Sequence, residues 1–466
     1  MEAWNDSPQE ECGVFGIWSE PGTEVAKDIY YGLLSLQHRG QESAGIAVCK
    51  TDGPRDLVNI RKGMGLVTEV FGREDFDRLS GNMGVGHVRY STTGASSIEN
   101  AQPLVFHYLK GTLAFVHNGN IVNDETLKQR LFHEGLVLRG TTDSEKIACL
   151  IARLRAEEPS IEKAAKRAAE FLTGGYAVIL MSPRKLVCMR DPLGLKPLVL
   201  GKLPEGYAVA SETCALTAVG AEFIRDIRPG EILTISKNGL ESDTEGCGGK
   251  HAHCVFEYIY FARLDSKLDG VSVYESRFRA GGCLADTYPV EADVVTGVPD
   301  SGLAAAAGYA ERAGIPFRLA FQKNSYVGRT FIKPTQEERE SAVHMKLNVL
   351  GDVVRDKRVV LIDDSIVRGT TIARLIGMLK ACGAKEVHVR ISSPPFLHPC
   401  FYGTDVPESS QLIANKLSEE EIRTGIGADS LGYLRLCDLD TVTEGLSLCK
   451  ACFDGNYPTE VTRETE

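Results

Sequence analysis

The chain has 466 residues, 43% of them hydrophobic and 25% charged, with a formal net charge of −11. That length exceeds a single hydrophobic core, so two domains are expected, and the composition is that of a soluble globular protein. The acidic balance argues against a general nucleic-acid binder, but it leaves anionic substrates open, because a local cluster of Lys and Arg overrides the global sign.

In chain order, the first eleven residues, MEAWNDSPQEE, are polar and acidic. They lack the basic start and apolar stretch of a signal peptide, and no later apolar run approaches the ~20 residues that span a bilayer. A cytoplasmic protein without a membrane partner is expected. From Cys12 to about 240, GVFGIW, AGIAVC, GVGHVRY, LAFVHNG, YAVILM and KLVCMRD read as strands. DIYYGLLSLQHRG and SEKIACLIARLRAEEPSIEKAAKRAAEFL read as helical blocks. Strands broken by helices without strict alternation predict sheets packed in layers. SKNGLESDTEGCGGKHAH, about 236–253, is the candidate linker.

Beyond about 265, ADVVTGVPDSG, FRLAFQK, RVVLIDDS and EVHVRISSPP read as strands, with SGLAAAAGYAERAG and TTIARLIGMLKACG as helices between them. That alternation predicts a parallel sheet with crossover helices, whose ligands sit at the carboxyl ends of the strands. The stretch 400–466 reads as more irregular, with one capping box at Ser418–Glu421.

The segment Val359–Thr371, VVLIDDSIVRGTT, carries the clearest chemistry. A strand delivers Asp363 and Asp364 at its end, and a loop with hydroxyls then opens a helix. The carboxylates suit ribose hydroxyls or a metal, and the loop suits a phosphate. The segment resembles the signature shared by phosphoribosyltransferases. Three further stretches fit it: VTGVPDSG (295–302), shaped for pyrophosphate; QKNSYVGRTFIKP (322–334), a polar and basic stretch that reads as a mobile loop; and HMKLN (344–348).

Near the N-terminus, Cys12 opens the first strand. GHVRYSTTG supplies Arg89 near Ser91, Thr92 and Thr93; FVHNGNIVN supplies Asn118 and Gly119; TTDSEKIACL places Asp143 at a helix start. This set resembles the glutaminase domain of the N-terminal-nucleophile (Ntn) amidotransferases over about 12–240. The resemblance implies a four-layer αββα Ntn-hydrolase domain, with residues 1–11 removed as a propeptide. The freed Cys12 α-amine, with a reference pKa of ~8, would be the base for its own thiol. Asn118 and Gly119 would form the oxyanion hole, Arg89 would pair with the glutamine α-carboxylate, and Asp143 would hold its ammonium. The bland alternative for Arg89 and Asp143 is a mutual or surface ion pair.

Together the two halves resemble the glutamine phosphoribosylpyrophosphate (PRPP) amidotransferases, domain order included, with an α/β parallel-sheet phosphoribosyltransferase domain over about 255–400. The resemblance implies that Asp300, Ser301 and Gly302 face pyrophosphate, that Ser301, Asp363 and Asp364 hold one Mg²⁺, and that Ser365, Arg368, Gly369, Thr370 and Thr371 hold the 5′-phosphate. Tyr326, Arg329 and Lys346 would close over PRPP and exclude water. Ser325 and His344 depart from the family's usual basic residues, so weaker PRPP binding is expected. The resemblance also implies a homotetramer inhibited by purine nucleotides. The rival readings are another Ntn-type glutamine amidotransferase, or a PRPP-binding regulator without catalysis.

Thirteen cysteines, an odd number, argue against a disulfide framework. Cys49, Cys149, Cys188, Cys214, Cys283, Cys382 and Cys437 read as packing residues. Cys449-Lys-Ala-Cys452 is the one close pair, open as it stands to a redox or zinc reading. In one branch of the amidotransferase family, four cysteines ligate a [4Fe–4S] cluster, which implies Cys254, Cys400, Cys449 and Cys452 here, with 401–466 as an extension carrying ligands. Cys254 is preferred over Cys247 because it adjoins the EYIYFAR segment.

Overall fold

The computed structural model describes residues 11–90, 96–108, 110–324, 347–404, 406 and 408–461. All seven residues of strand Gly13–Ser19 are buried, which requires cover on both faces. Phe15 and Ile17 pack with Ile29 and Leu33 of helix Ala26–Ser35. Val14 and Trp18, on the opposite face, meet Ala114, Val116, Ala177 and Ile179 of a second sheet. That sheet turns Phe115 and Val178 away, toward helices Asp124–His133, Asp143–Leu154 and Ile161–Ala169. The layers therefore run helix, sheet, sheet, helix, with seven strands in one sheet and six in the other. The six stretches expected as strands in this half are strands.

Two expectations in this half need correction. The block 144–172 is two helices, because Pro159 disfavours helical backbone at Glu158 and the Ser160 hydroxyl caps the second helix by accepting from the Lys163 N–H at 3.4 Å. The linker starts later than 236, because Asn238-Gly239 turns the chain back and Gly239–Asp243 pairs with Ile232–Ser236 as a hairpin.

The second unit is a parallel sheet in the order Val294–Gly297, Arg358–Asp363, Glu386–Ile391, Ser430–Tyr433. The fourth strand lies past residue 400, so the irregular extension expected there in fact completes the sheet. Its helix Glu419–Ile426 starts at the expected Ser418 capping box. FRLAFQK is no full parallel strand. Phe317 bridges Val295, but the Thr296 hydroxyl takes the Ala320 N–H at 3.0 Å, and Phe321–Lys323 peels away to pair antiparallel with Leu347–Val349.

Residues 253–273 join the units. Tyr258, Ala262, Leu268 and Val273 enter the core of the first, while Val255, Phe256, Ile259 and Phe261 enter that of the second. The buried Arg190 grips Asp269 with two nitrogens, at 2.7 and 2.8 Å. Burial would raise the Asp269 pKa, but Arg190 and His253 outweigh it and hold the carboxyl well below its usual range. This contribution is present above the unfolded value of ~3.9 and is lost as pH falls through the lower folded value. Asp269→Asn is expected to cost about 3–5 kcal/mol near neutrality by leaving Arg190 unpaired. In urea denaturation the gap to the parent should narrow in acid below that unfolded value.

Candidate active sites

The register of the first sheet sets Gly13 opposite Val88, which brings Cys12 beside Arg89 and Tyr90. The Cys12 thiol donates to the Tyr90 carbonyl at 3.5 Å. Burial pushes this thiol up, against the opposing pull of Arg89. Arg89 is buried and bonds Glu42 at 2.8 Å. Asp143 opens its helix, accepts the Ile121 N–H at 3.1 Å and is also buried. The two charges have separate partners and are bound to no surface, so the bland reading of a mutual or surface pair fails.

Asn118 is 1% exposed, and its side-chain amide nitrogen has no partner among the described residues. A buried donor left unbonded costs free energy unless something arrives to accept from it. Gly119 follows at φ +135°, and a Cβ there would overlap the Gly175 carbonyl oxygen. The FVHNGNIVN stretch, which reads as a strand followed by a tight turn, instead stays in strand Gly111–Ile121 through Asn118 and Gly119, which pair with Ala177 and Tyr176, so the unused donor sits on the sheet itself.

Sequence reasoning missed what stands behind Cys12. Glu11 is 1% exposed. Its carboxylate lies 2.6 Å from Lys196 and 3.4 Å from Arg39, and accepts from the Thr404 hydroxyl at 2.9 Å. Burial opposes its ionisation, but Lys196 and Arg39 together hold its pKa below the ordinary value. Arg39 also donates to the Cys12 carbonyl at 3.1 Å. None of these partners lies near Cys12 in sequence, and no periodicity marks them.

At the second site, the Ser301 hydroxyl donates to Asp364 at 2.6 Å, and Ser365 donates to its other oxygen at 2.5 Å. Asp363 accepts the Asp364 N–H at 2.9 Å. Burial raises the Asp364 pKa, with these hydroxyls and Arg277 opposing. Gly302 lies so close to the Ile362 carbonyl that a Cβ would overlap it, and this packs the two loops together. Asp300 pairs with Lys323. Gly369, at φ +82°, starts the helix Thr370–Ala381, whose positive dipole end faces the loop, and Arg368 bonds Gln411 at 3.0 Å. Arg277, unforeseen from sequence, is buried and donates to the carbonyls of Tyr258 at 3.0 Å and Ala262 at 2.7 Å. Burial lowers its pKa to about 10, and Asp364 is the main opposing charge. Ser91–Thr93, Ser325, Tyr326, Arg329, His344 and Lys346 lie outside the described residues.

Cys254, Cys400, Cys449 and Cys452 line one pocket, with Phe256, Phe396 and Tyr402 in its wall, and Cys247 is not among them. Cys254 and Cys449 are direct partners on short parallel strands. Burial pushes the Cys449 thiol up to about 12. Among the described residues, no three His, Cys, Asp or Glu side chains form a group that could hold one metal ion. Four thiols lining one apolar pocket are the donor type that both iron–sulfur clusters and zinc take.

Comparison with known proteins agrees with this division. Residues 87–218 match the glutamine amidotransferase domain family, and residues 276–392 match the phosphoribosyl transferase domain family. The amidophosphoribosyltransferase of Bacillus subtilis (strain 168) is 47% identical, covering 98% of this chain and 96% of that protein. That of Methanocaldococcus jannaschii is 46% identical, covering 97% and 98%. A solved glutamine PRPP amidotransferase from B. subtilis, complexed with ADP and GMP, superposes with a TM-score of 0.90 at 46% identity, covering 98% of this chain and 99% of that one. Gly302→Ala should separate the two packed loops, so calorimetry with inorganic pyrophosphate should show affinity at least about tenfold weaker, as expected for displaced charge-assisted contacts.

Proposed function

The chain belongs to the amidophosphoribosyltransferases, and from that premise we propose how its residues divide the work. The activity itself is glutamine-dependent amidation of PRPP in purine biosynthesis, performed by a glutamine amidotransferase domain followed by a phosphoribosyltransferase domain.

The observation that carries the first half is the unused Asn118 donor beside Gly119, on the sheet next to Cys12. Removal of residues 1–11 frees the Cys12 amine, which takes the thiol proton as the sulfur attacks the glutamine amide carbon. Asn118 and the Gly119 N–H receive the oxyanion. Arg89 exchanges its bond with Glu42 for the substrate carboxylate, and Asp143 faces the ammonium. Ammonia leaves as the acyl-sulfur bond forms, and water releases glutamate. Ammonia freed into neutral water would be protonated and unreactive, so it passes inside the protein to the second site.

There Asp363 and Asp364 hold the ribose end of PRPP, the Asp300–Gly302 loop holds pyrophosphate, and the loop Ser365–Thr371 holds the 5′-phosphate. Ser301, Asp363 and Asp364 would hold Mg²⁺, which when bound neutralises the leaving pyrophosphate. Ammonia then displaces pyrophosphate at the ribose carbon and gives 5-phosphoribosylamine. Tyr326, Arg329 and Lys346 belong to this reading as the closing loop.

The four pocket cysteines would hold a [4Fe–4S] cluster with a structural or oxygen-sensing role, since the reaction transfers no electrons. ADP or GMP, found in the solved relative, would act as feedback inhibitors. A cytoplasmic homotetramer completes the reading.

Cys12→Ala should abolish synthesis from glutamine, a loss of at least about 10³-fold, while synthesis from an ammonium salt persists, read as pyrophosphate release. Active enzyme should begin at Cys12 by mass spectrometry, and an active form beginning at Met1 would remove the amine-base scheme. Anaerobic preparations should be brown and contain iron, and Cys449→Ser should bleach the visible band.

A further inference from the structure

Glu11 is an unusual residue to find buried. Carboxylates are almost never buried without partners, and a residue that is merely passing into a leader needs no receptor. Yet its carboxylate has three donors: Lys196 at 2.6 Å, Thr404 at 2.9 Å and Arg39 at 3.4 Å. The side chains of Lys196 and Arg39 are 1% and 0% exposed.

These donors come from both halves of the chain. Arg39 follows the first helix of the amidotransferase unit and Lys196 lies in that unit's Asp191–Lys196 turn, but Thr404 belongs to the segment that follows Cys400. That segment is itself seated on the first site. Asn120 donates to the Phe401 carbonyl at 2.9 Å, and a Cβ at Gly403 would lie 3.2 Å from the Gly119 carbonyl carbon and 3.3 Å from the Lys196 ammonium. Gly403 adopts φ +108°, which favours glycine and lets the segment approach this closely.

We infer that Lys196, Thr404 and Arg39 form a carboxylate receptor for residue 11 that fixes the Glu11–Cys12 bond for leader removal, and that it is complete only once the C-terminal segment has docked. The inference rests on the reading that residues 1–11 are removed. The bond is held from both sides: the receptor takes the Glu11 side chain, and Arg39 also bonds the Cys12 carbonyl at 3.1 Å. The thiol attacks the Glu11 carbonyl carbon, the carbon–sulfur bond forms, the carbon–nitrogen bond breaks, and the thiol proton ends on the Cys12 nitrogen. Water then hydrolyses the thioester, returning the thiol and releasing the leader as a carboxylic acid. Lys196, Thr404 and Arg39 are positioning residues in this step. The consequence is order: the glutaminase base appears only after the second unit is in place, so ammonia is not released by a chain whose acceptor half is unfolded.

The test uses the full-length chain. Glu11→Gln removes the charge from the leader alone, and any molecule that matures is identical to the parent enzyme. Leader removal, followed by intact mass after anaerobic expression, should slow at least about tenfold, the effect of losing a charge-assisted contact. The matured fraction should keep the parent's glutaminase activity per molecule. Thr404→Val should slow removal in the same assay, and Thr404→Ser should restore it, a rescue that general loss of packing would not show. Parent-like maturation of both Glu11→Gln and Thr404→Val overturns the receptor. Parent protein that is active while beginning at Met1 overturns leader removal itself, which separates the two failures.

Discussion

One buried guanidinium holds the centre of this molecule. Arg39 bonds Glu212 at 2.7 Å, Glu257 at 2.5 and 2.9 Å, Glu11 at 3.4 Å and the Cys12 carbonyl at 3.1 Å. Its partners come from the leader, the amidotransferase unit and the junction. Three carboxylates around one cation do not share it equally. Burial works against Glu212, but His38 and Arg39 hold it well below the carboxylate range. Burial pushes Glu257 up, and the Glu11 charge adds to the rise. A lysine could not replace Arg39, because a single ammonium lacks the planar fork that faces several acceptors at once.

The same junction reaches the acceptor site. Glu257 meets Arg39 on one side, and the next residue, Tyr258, gives its carbonyl to Arg277 on the other. Arg277 in turn is the cation facing the buried Asp364. From the Cys12 carbonyl to Asp364, the supports are thus neighbouring residues of one segment. Phe401–Thr404 adds a second tie, running from the cysteine pocket to the Asn118–Asn120 part of strand Gly111–Ile121. Two reactions that share an unstable intermediate are therefore built on shared backbone, and their spacing does not depend on a flexible linker.

What was legible in the sequence was whatever is local. Short apolar runs marked the strands, Ser418-Glu-Glu-Glu421 marked a cap, and the order strand–Asp-Asp–loop–helix marked Val359–Thr371. The structure gathers Ser301 with Asp364 and Cys254 with Cys400, Cys449 and Cys452. What stayed illegible was long-range pairing. Glu11 and Thr404 are 393 residues apart, and no pattern within either segment announces the bond. Arg39, Lys196, Glu212 and Arg277 each look like ordinary surface charges until the fold buries them. FRLAFQK failed for a related reason: a single side-chain hydroxyl, on Thr296, diverted the strand's hydrogen bonding.

The acceptor site also resolves an apparent conflict in charge. The chain carries a net −11, and its sequence signature places adjacent carboxylates where a polyanion is to bind. Asp300 is already neutralised by Lys323, and Arg277 offsets Asp364 from behind. Both oxygens of Asp364 are engaged by hydroxyls, which stabilises its charge without spending a cation on it. Asp363, also buried, takes the Asp364 N–H on one of its oxygens. A carboxylate and a phosphate repel unless a cation stands between them, and hard oxygen donors with few protein ligands are what Mg²⁺ accepts when phosphates complete its shell. A buried Asp364 with both oxygens engaged by hydroxyls is poorly placed to exchange protons, which favours the proposed seat for metal-bound PRPP over a pair of acid–base catalysts.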